Sequence, residues 1–330
     1  MRQVHAIRLH AFGPAGNLVY EDVPIPEPGP GQVRIAVEAA GVHLIDTRLR
    51  AGQRMGPLPL PTLPAIPGRE VAGSVEALGD GVDDAWLGRR VVAHLGPAGG
   101  GYAERALAPA ANLHDLPEPL DAPTAVAAIG TGRTALGILE IAPITGADTV
   151  LVPAAAGGLG ALLVQAARRA GAEVIALAGG PEKTRRAAEQ GATWTFDYND
   201  PGWLDAVRGA LDSGGASLVF DGVGGDVGRA AFELLRPGGR MVVFGWSSGA
   251  ATALTTMDVV GRGVTLEGAL GARMAGRPAG LRRLETRALE TIAGGELRPL
   301  VGPPFALRDA ARAHEALETR RTVGKVVLIP

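Results

Sequence analysis

The chain changes rhythm once along its length. Over its first ~120 residues the apolar positions come in short, partly alternating runs. VRIAVEAAGV (33–42) and GREVAGSVEAL (68–78) carry the β-branched content of strands. Between them GPLPLPTLPAIPG (56–68) cannot be helical, because its prolines lack the N–H donor and restrict the residues before them, so an ordered loop is expected. PEPLDAP (117–123) reads as a domain junction. After it, strand and helix patterns alternate, which predicts parallel βαβ units. Strands are expected at 149–154, 173–179, 194–198, 217–225, 240–245 and 264–270, with helices at 159–172, 181–191 and 203–211 and another carrying AAFELL. RPGG (236–239) reads as a turn. Helices at 278–293 and around 308–319 and a closing strand KVVLIP complete the pattern. The fold class is therefore α/β.

Composition narrows the chemistry. At 330 residues two domains are the default, and 46% apolar residues with only 4% aromatics imply a core of Ala, Val, Leu and Ile. A formal charge of −2 gives no net pull toward nucleic acid or an anionic membrane, so neither is an expected partner. The absence of Cys excludes disulfides, thiolate nucleophiles, iron–sulfur clusters and Cys-ligated zinc. The first residues alternate like a strand, without the continuous apolar core of a secretory signal, and the uncharged stretch 149–167 is broken by Pro153 and Gly157–Gly158. A cytoplasmic protein is expected.

AAAGGLG (154–160) lies between a predicted strand and a predicted helix, where a dinucleotide-binding turn belongs. Glycine lets the backbone approach the pyrophosphate, and free N–H groups at the helix start favour the anion. The pattern is A-x-x-G-x-x-G, not the full G-x-G-x-x-G. An acid about 20 residues on would hold a ribose 2′-OH. Here that strand ends in Leu177, Ala178 and Gly179, and Lys183, Arg185 and Arg186 follow. Charge complementarity favours NADPH over NADH.

AGVHLIDTRLRAG (40–52), PGREVAGSVEALGDGV (67–82), GGYAE (100–104), the glycine turn, FDGVGGD (220–226), RPGGRMVVFGWSSG (236–249) and AHEALETRRTVGKVVLIP (313–330) follow one another in an order that closely resembles the quinone oxidoreductases. These are the zinc-independent, zeta-crystallin-like branch of the medium-chain dehydrogenase/reductase superfamily. The resemblance implies a GroES-like β-rich catalytic domain (1–121), a doubly wound Rossmann domain that binds NADPH (122–262), a return to the catalytic domain (263–330), and a homodimer. It also implies that substrate and nicotinamide meet in the cleft between the domains. By position, Lys183, Tyr198 and Arg320 match contacts around the 2′-phosphate, and Gly179 lies beside them. Ala156, Gly157, Gly158 and Leu159 match the pyrophosphate turn. Phe244, Gly245, Trp246 and Ser247 match the segment near the nicotinamide ribose. Asp46 and Thr47 match the substrate and cofactor loop.

Several positions depart from the family pattern. His43 stands where Asn is common, and Arg48 and Arg133 where Tyr is frequent. The guanidiniums remove phenolic proton donors and add fixed positive charge, which favours a carboxylate, phosphate or polarised carbonyl if they face the cleft. Arg69 occupies the position of a zinc-ligand His in zinc-dependent relatives, so no catalytic metal is expected. The leading reading is an NADPH-dependent reductase of quinones or α,β-unsaturated carbonyls. The alternatives are an enoyl-thioester reductase, with Arg48, Arg54 or Arg133 meeting a carrier phosphate, and an NADPH-binding, crystallin-like protein with little turnover.

Overall fold

The computed structural model describes residues 2–54, 58–211, 214–276 and 280–330. The first residues of the expected loop 56–68 and of the helix 278–293 lie outside this set. The chain divides into two compact units, residues 1–133 with 285–330, and residues 134–284.

The first unit opens with β1 (Gln3–Leu9), β2 (Leu18–Pro24), β3 (Gln32–Val42) and helix α1 (Leu44–Arg50). β4 (Glu70–Leu78), β5 (Arg90–His94), β6 (Arg105–Pro109) and β7 (Leu113–Asp115) follow. Helix α2 (Ala122–Val126) continues through a π-helical stretch, Ala127–Gly132, into α3 (Arg133–Ile141).

The second unit holds β8 (Thr149–Pro153), α4 (Gly158–Arg169), β9 (Glu173–Ala178), α5 (Pro181–Glu189), β10 (Trp194–Asp197) and α6 (Trp203–Ala210). It continues with β11 (Ala216–Asp221), α7 (Gly225–Glu233), β12 (Leu235–Val243), α8 (Thr256–Arg262), β13 (Thr265–Gly268) and α9 (Ala272–Ala275). Helix α10 (Gly280–Ala293), β14 (Phe305–Ala306), α11 (Ala310–Glu318) and β15 (Val326–Ile329) complete the chain.

In the first unit, β14-β15-β3-β4-β5-β7 form a sheet, with β6 pairing β3 and β1–β2 a separate antiparallel hairpin. The closing strand β15 pairs antiparallel with β3, Val326 opposite Val42, so the end of the chain completes the sheet built by its beginning. Local pattern alone cannot announce such a pairing. Val33, Ile35, Val71, Val91, Leu113 and Leu328 are buried in the resulting core.

In the second unit the order β10-β9-β8-β11-β12-β13 is a six-stranded parallel sheet whose strand succession reverses between β8 and β11. That reversal is where the carboxyl ends of such a sheet open a crevice for a ligand. β13 extends this sheet, so the return to the first unit comes at 285 and not at 263. RPGG is not a free turn. Ala216 pairs Leu235 and Leu218 pairs Arg240, which makes the segment a bulge within β12. Pro237 cannot donate to the ladder and Gly238 takes φ 75°, so the strand swells there without ending.

Candidate functional site

The glycine turn leaves the carboxyl end of β8 in the second unit. Gly157 is the N-cap of α4, in extended conformation, and its N–H bonds back to the Ala154 carbonyl at 2.9 Å. At Gly160 a Cβ would lie 2.3 Å from the Ala154 oxygen and 2.8 Å from the Ala155 Cα. Only glycine lets the helix seat this close to the turn. The first N–H groups of α4 therefore sit over a tight chain reversal, an arrangement that fits a pyrophosphate. Ala156, Gly157, Gly158 and Leu159 all lie on this turn.

At the next strand end, Gly179 packs against the Tyr198 ring, and half-buried Lys183 lies on the first turn of α5. Arg185 and Arg186 both turn to Glu189, so the expected basic face splits. Sequence reasoning missed Asp197: it belongs to β10, pairs with Ala178, and its Oδ1 accepts from the Gly180 and Asn199 N–H groups, each at 2.9 Å. Across the switch point, the Asp221 carboxylate is fully buried and accepts from the Val223 and Gly224 N–H groups and the Thr252 hydroxyl. The Ser247 N–H bonds to the Gly222 carbonyl at 3.0 Å, which ties the segment Phe244, Gly245, Trp246, Ser247 to the end of β11. These cofactor candidates thus gather at the carboxyl ends of four parallel strands. Arg320 lies in the first unit, exposed, at φ 56° after α11.

In the first unit, β3 leads into α1 through His43, the N-cap. Asp46 Oδ2 accepts from the His43 N–H at 2.8 Å, and its Oδ1 accepts from Arg69 Nε at 3.1 Å. Burial works to raise the Asp46 carboxyl, but Arg69 and His43 outweigh it and hold it below its usual range. Asp46 is thus an anion at neutral pH and no proton donor. Thr47 is buried, and its hydroxyl donates to the Leu44 carbonyl.

His43 Nε2 lies 2.6 Å from Glu70 Oε1 and 2.8 Å from Lys325 Nζ, and Lys325 Nζ donates to Glu70 Oε2 at 2.8 Å. Burial pulls both His43 and Lys325 down, so His43 is neutral at pH 7. Burial also works to raise the Glu70 carboxyl, and His43 and Lys325 together overcome this and hold it well below the ordinary value. Gly130 makes the room: a Cβ there would fall 1.4 Å from Glu70 Oε1.

The structure does not bring the two expected arginines together as free cations. Arg133 bonds Glu285 at 2.7 Å and meets His94 at 3.3 Å, and His114 meets the other Glu285 oxygen at 3.2 Å. Arg48 is bonded to Gln53 on the exposed side of α1. Glu70, Tyr102, His314 and Lys325 were not anticipated. The Tyr102 hydroxyl lies 3.2 Å from His314 Nε2 and 3.4 Å from Asp46. The one sequence cue was Lys325 itself: the chain keeps only two lysines, Lys183 and Lys325, in a background of arginine.

A glycine-rich turn at the switch point of a parallel sheet, joined in one chain to a GroES-like sheet, defines a dinucleotide-dependent oxidoreductase. The family models for the alcohol dehydrogenase GroES-like domain and for zinc-binding dehydrogenase match residues 29–118 and 158–286. The chain is 35% identical over 327 residues to a quinone oxidoreductase of Pseudomonas aeruginosa, covering 98% of this chain and 99% of the relative. It is 33% identical over 339 residues to a 2-haloacrylate reductase of a Burkholderia species, covering 99% of each. The Escherichia coli quinone oxidoreductase solved with NADPH superposes with a TM-score of 0.86 at 28% identity, covering 99% of this chain and 100% of that one. The chain belongs to the quinone oxidoreductase family of the medium-chain dehydrogenases/reductases.

The residues do not fit the zinc in the second model's description. There is no Cys, Arg69 stands in the PGRE segment, and the Lys325 ammonium already lies against both Glu70 and His43. Among the described residues no group of three or more His, Cys, Asp or Glu is arranged to hold a metal. No helix among them is long and apolar enough to cross a membrane.

Proposed function

We propose that the chain is an NADPH-dependent, metal-independent reductase of quinones or α,β-unsaturated carbonyls. The observation that carries this reading is the cradle at Gly160, where the absence of a side chain seats α4 against the turn. The related enzymes' names add that such acceptors, a haloacrylate among them, are reduced on this scaffold. Bound NADPH supplies the hydride. The chain's own residues hold its pyrophosphate on the N-terminus of α4 and its 2′-phosphate near Lys183. Addition of hydride to the acceptor leaves an enolate or hydroquinone anion, which N–H donors stabilise and solvent protonates. Asp46, held anionic, orients cationic neighbours and does not deliver a proton. His43 is neutral and carries one N–H, and its Nε2 is already engaged by Glu70 and Lys325, so the proton for the acceptor comes from solvent.

A homodimer suits an exposed apolar edge. β13 ends the parallel sheet, and it and the adjoining segment expose Leu266 (42%) and Leu270 (47%), while α8 exposes Met257 (72%) and Val260 (73%).

The test is turnover of a panel of quinones and enones with and without NADPH. Cofactor-dependent reduction of at least one class is expected. Tight NADPH binding with no reduction of any acceptor would favour the crystallin-like alternative.

A further inference from the structure

Arg69 lines a pocket contained within the first unit, together with Asp46, Arg50, Leu49, Pro59 and Ile66. Its polar groups differ in what they leave open. Arg50 is buried and gives its Nη2 to Glu318, and its Nε is buried without a partner among the described residues. Asp46 accepts from three donors, the His43 N–H, Arg69 Nε and the Tyr102 hydroxyl. Arg69 gives only its Nε to Asp46, and its Nη1 and Nη2 make no hydrogen bond among the described residues. The side chain is 15% exposed, so the guanidinium is held in place by its inner edge while its outer edge keeps four N–H donors.

Two parallel N–H groups in one plane match a carboxylate end-on, a geometry that an ammonium cannot reproduce. The walls given by Leu49, Pro59 and Ile66 are apolar and suit a short carbon skeleton. The pocket volume of about 60 Å³ has room for about four to six water-sized atoms, the scale of a three-carbon acid. The charges already present, Asp46 with Arg69 and Arg50 with Glu318, balance in pairs, so the site offers a directional fork more than a strong field. Binding in the millimolar range is the expectation.

We propose that Arg69 is the carboxylate anchor of a substrate subsite that takes short α,β-unsaturated carboxylates, with Asp46 as the residue that positions its guanidinium. This rests on the reductase reading and names the substrate class within it. The reaction balances without a further co-reactant. A hydride adds to the β-carbon, the C=C electron pair moves to the α-carbon and its conjugated carboxylate, NADPH leaves as NADP⁺, and a solvent proton completes the saturated acid. Arg69 opposes the charge that builds on the carboxylate oxygens.

The experiment pairs acrylate with acrylamide, which share size and conjugation but differ in charge, and adds a titration with propionate, which binds without being reduced. The wild-type chain is expected to favour acrylate over acrylamide at least 10-fold in kcat/KM and to bind propionate saturably. In Arg69→Gln that ratio collapses toward one and saturable propionate binding is lost, whereas Arg69→Lys falls between the two. NADPH titration of the variants checks that they are folded. An unchanged acrylate preference in Arg69→Gln, or equal use of both acceptors by the wild type, overturns the assignment. Quinone turnover without propionate binding would sink the subsite and leave the reductase reading standing. Arg69-dependent propionate binding without any turnover would do the reverse.

Discussion

Lys325 and Glu70, 255 positions apart in sequence, form a fully buried ion pair at 2.8 Å, and the same ammonium reaches His43. A buried charge left alone costs far more than the pair contributes. Lys325→Met is therefore expected to lower unfolding free energy by about 3–5 kcal/mol, because it strands the Glu70 carboxylate. Adding Glu70→Gln should return part of that loss, a coupling of about 0.5–3 kcal/mol in urea titrations. Strict additivity of the two substitutions would show that the pair does not act as a unit.

Gly160→Ala places a methyl group against backbone atoms that cannot yield, 2.3 Å from the Ala154 oxygen. The helix start must move off the turn. A loss of NADPH affinity of at least about 10-fold, or about 1.4 kcal/mol, is expected in fluorescence titration. Wild-type affinity in this variant would remove the turn from the cofactor site.

Acid should loosen the first unit before it protonates its carboxylates. Burial holds His314 down at about 4, and burial together with Arg133 holds His94 down at about 4. Both are neutral in the folded and unfolded chain above about pH 6.5. As pH falls from 6.5 toward 4, the unfolded chain takes up protons that the folded one refuses, so stability drops across that window. Each group contributes up to about 3 kcal/mol, at 1.36 kcal/mol per pH unit. Urea midpoints at pH 7.5, 6 and 5 should decline, and His314→Gln should flatten the slope. A midpoint constant down to pH 5 would contradict the assignment of both rings.

Charging the exposed edge tests the dimer. Val260→Asp with Leu266→Asp is expected to convert a homodimer to monomer in light scattering while leaving the secondary structure intact, since both side chains face outward. A wild-type monomer at micromolar concentration would remove the proposal.

The parallel sheet was legible because its signals are local. β8, the glycine turn and α4 follow one another within 21 residues, and apolar runs of β length alternate with amphipathic helices. The ion cluster was not legible. Glu70 begins a strand, Lys325 precedes another, and Tyr102 meets His314 across 212 positions, so it is the antiparallel pairing of β15 with β3 and the packing of α11 into the same core that bring the chain's end to its beginning. The same distance hid the engagement of Arg133, whose partner Glu285 is 152 residues away. Arg69 was read for the zinc ligand it replaces, because nothing in its neighbourhood in sequence announces Asp46 as its partner. RPGG was misread since Pro and Gly mark a bulge as readily as a turn.

The central claim is a hydride donor recognised by its 2′-phosphate. Steady-state reduction of a competent quinone or enone with NADPH and NADH, by wild type and Lys183→Ala, addresses it most directly. A preference for NADPH of at least about 10-fold in kcat/KM, lost in the variant, is expected. Equal or better use of NADH by the wild type, or a preference untouched by removing Lys183, would contradict it.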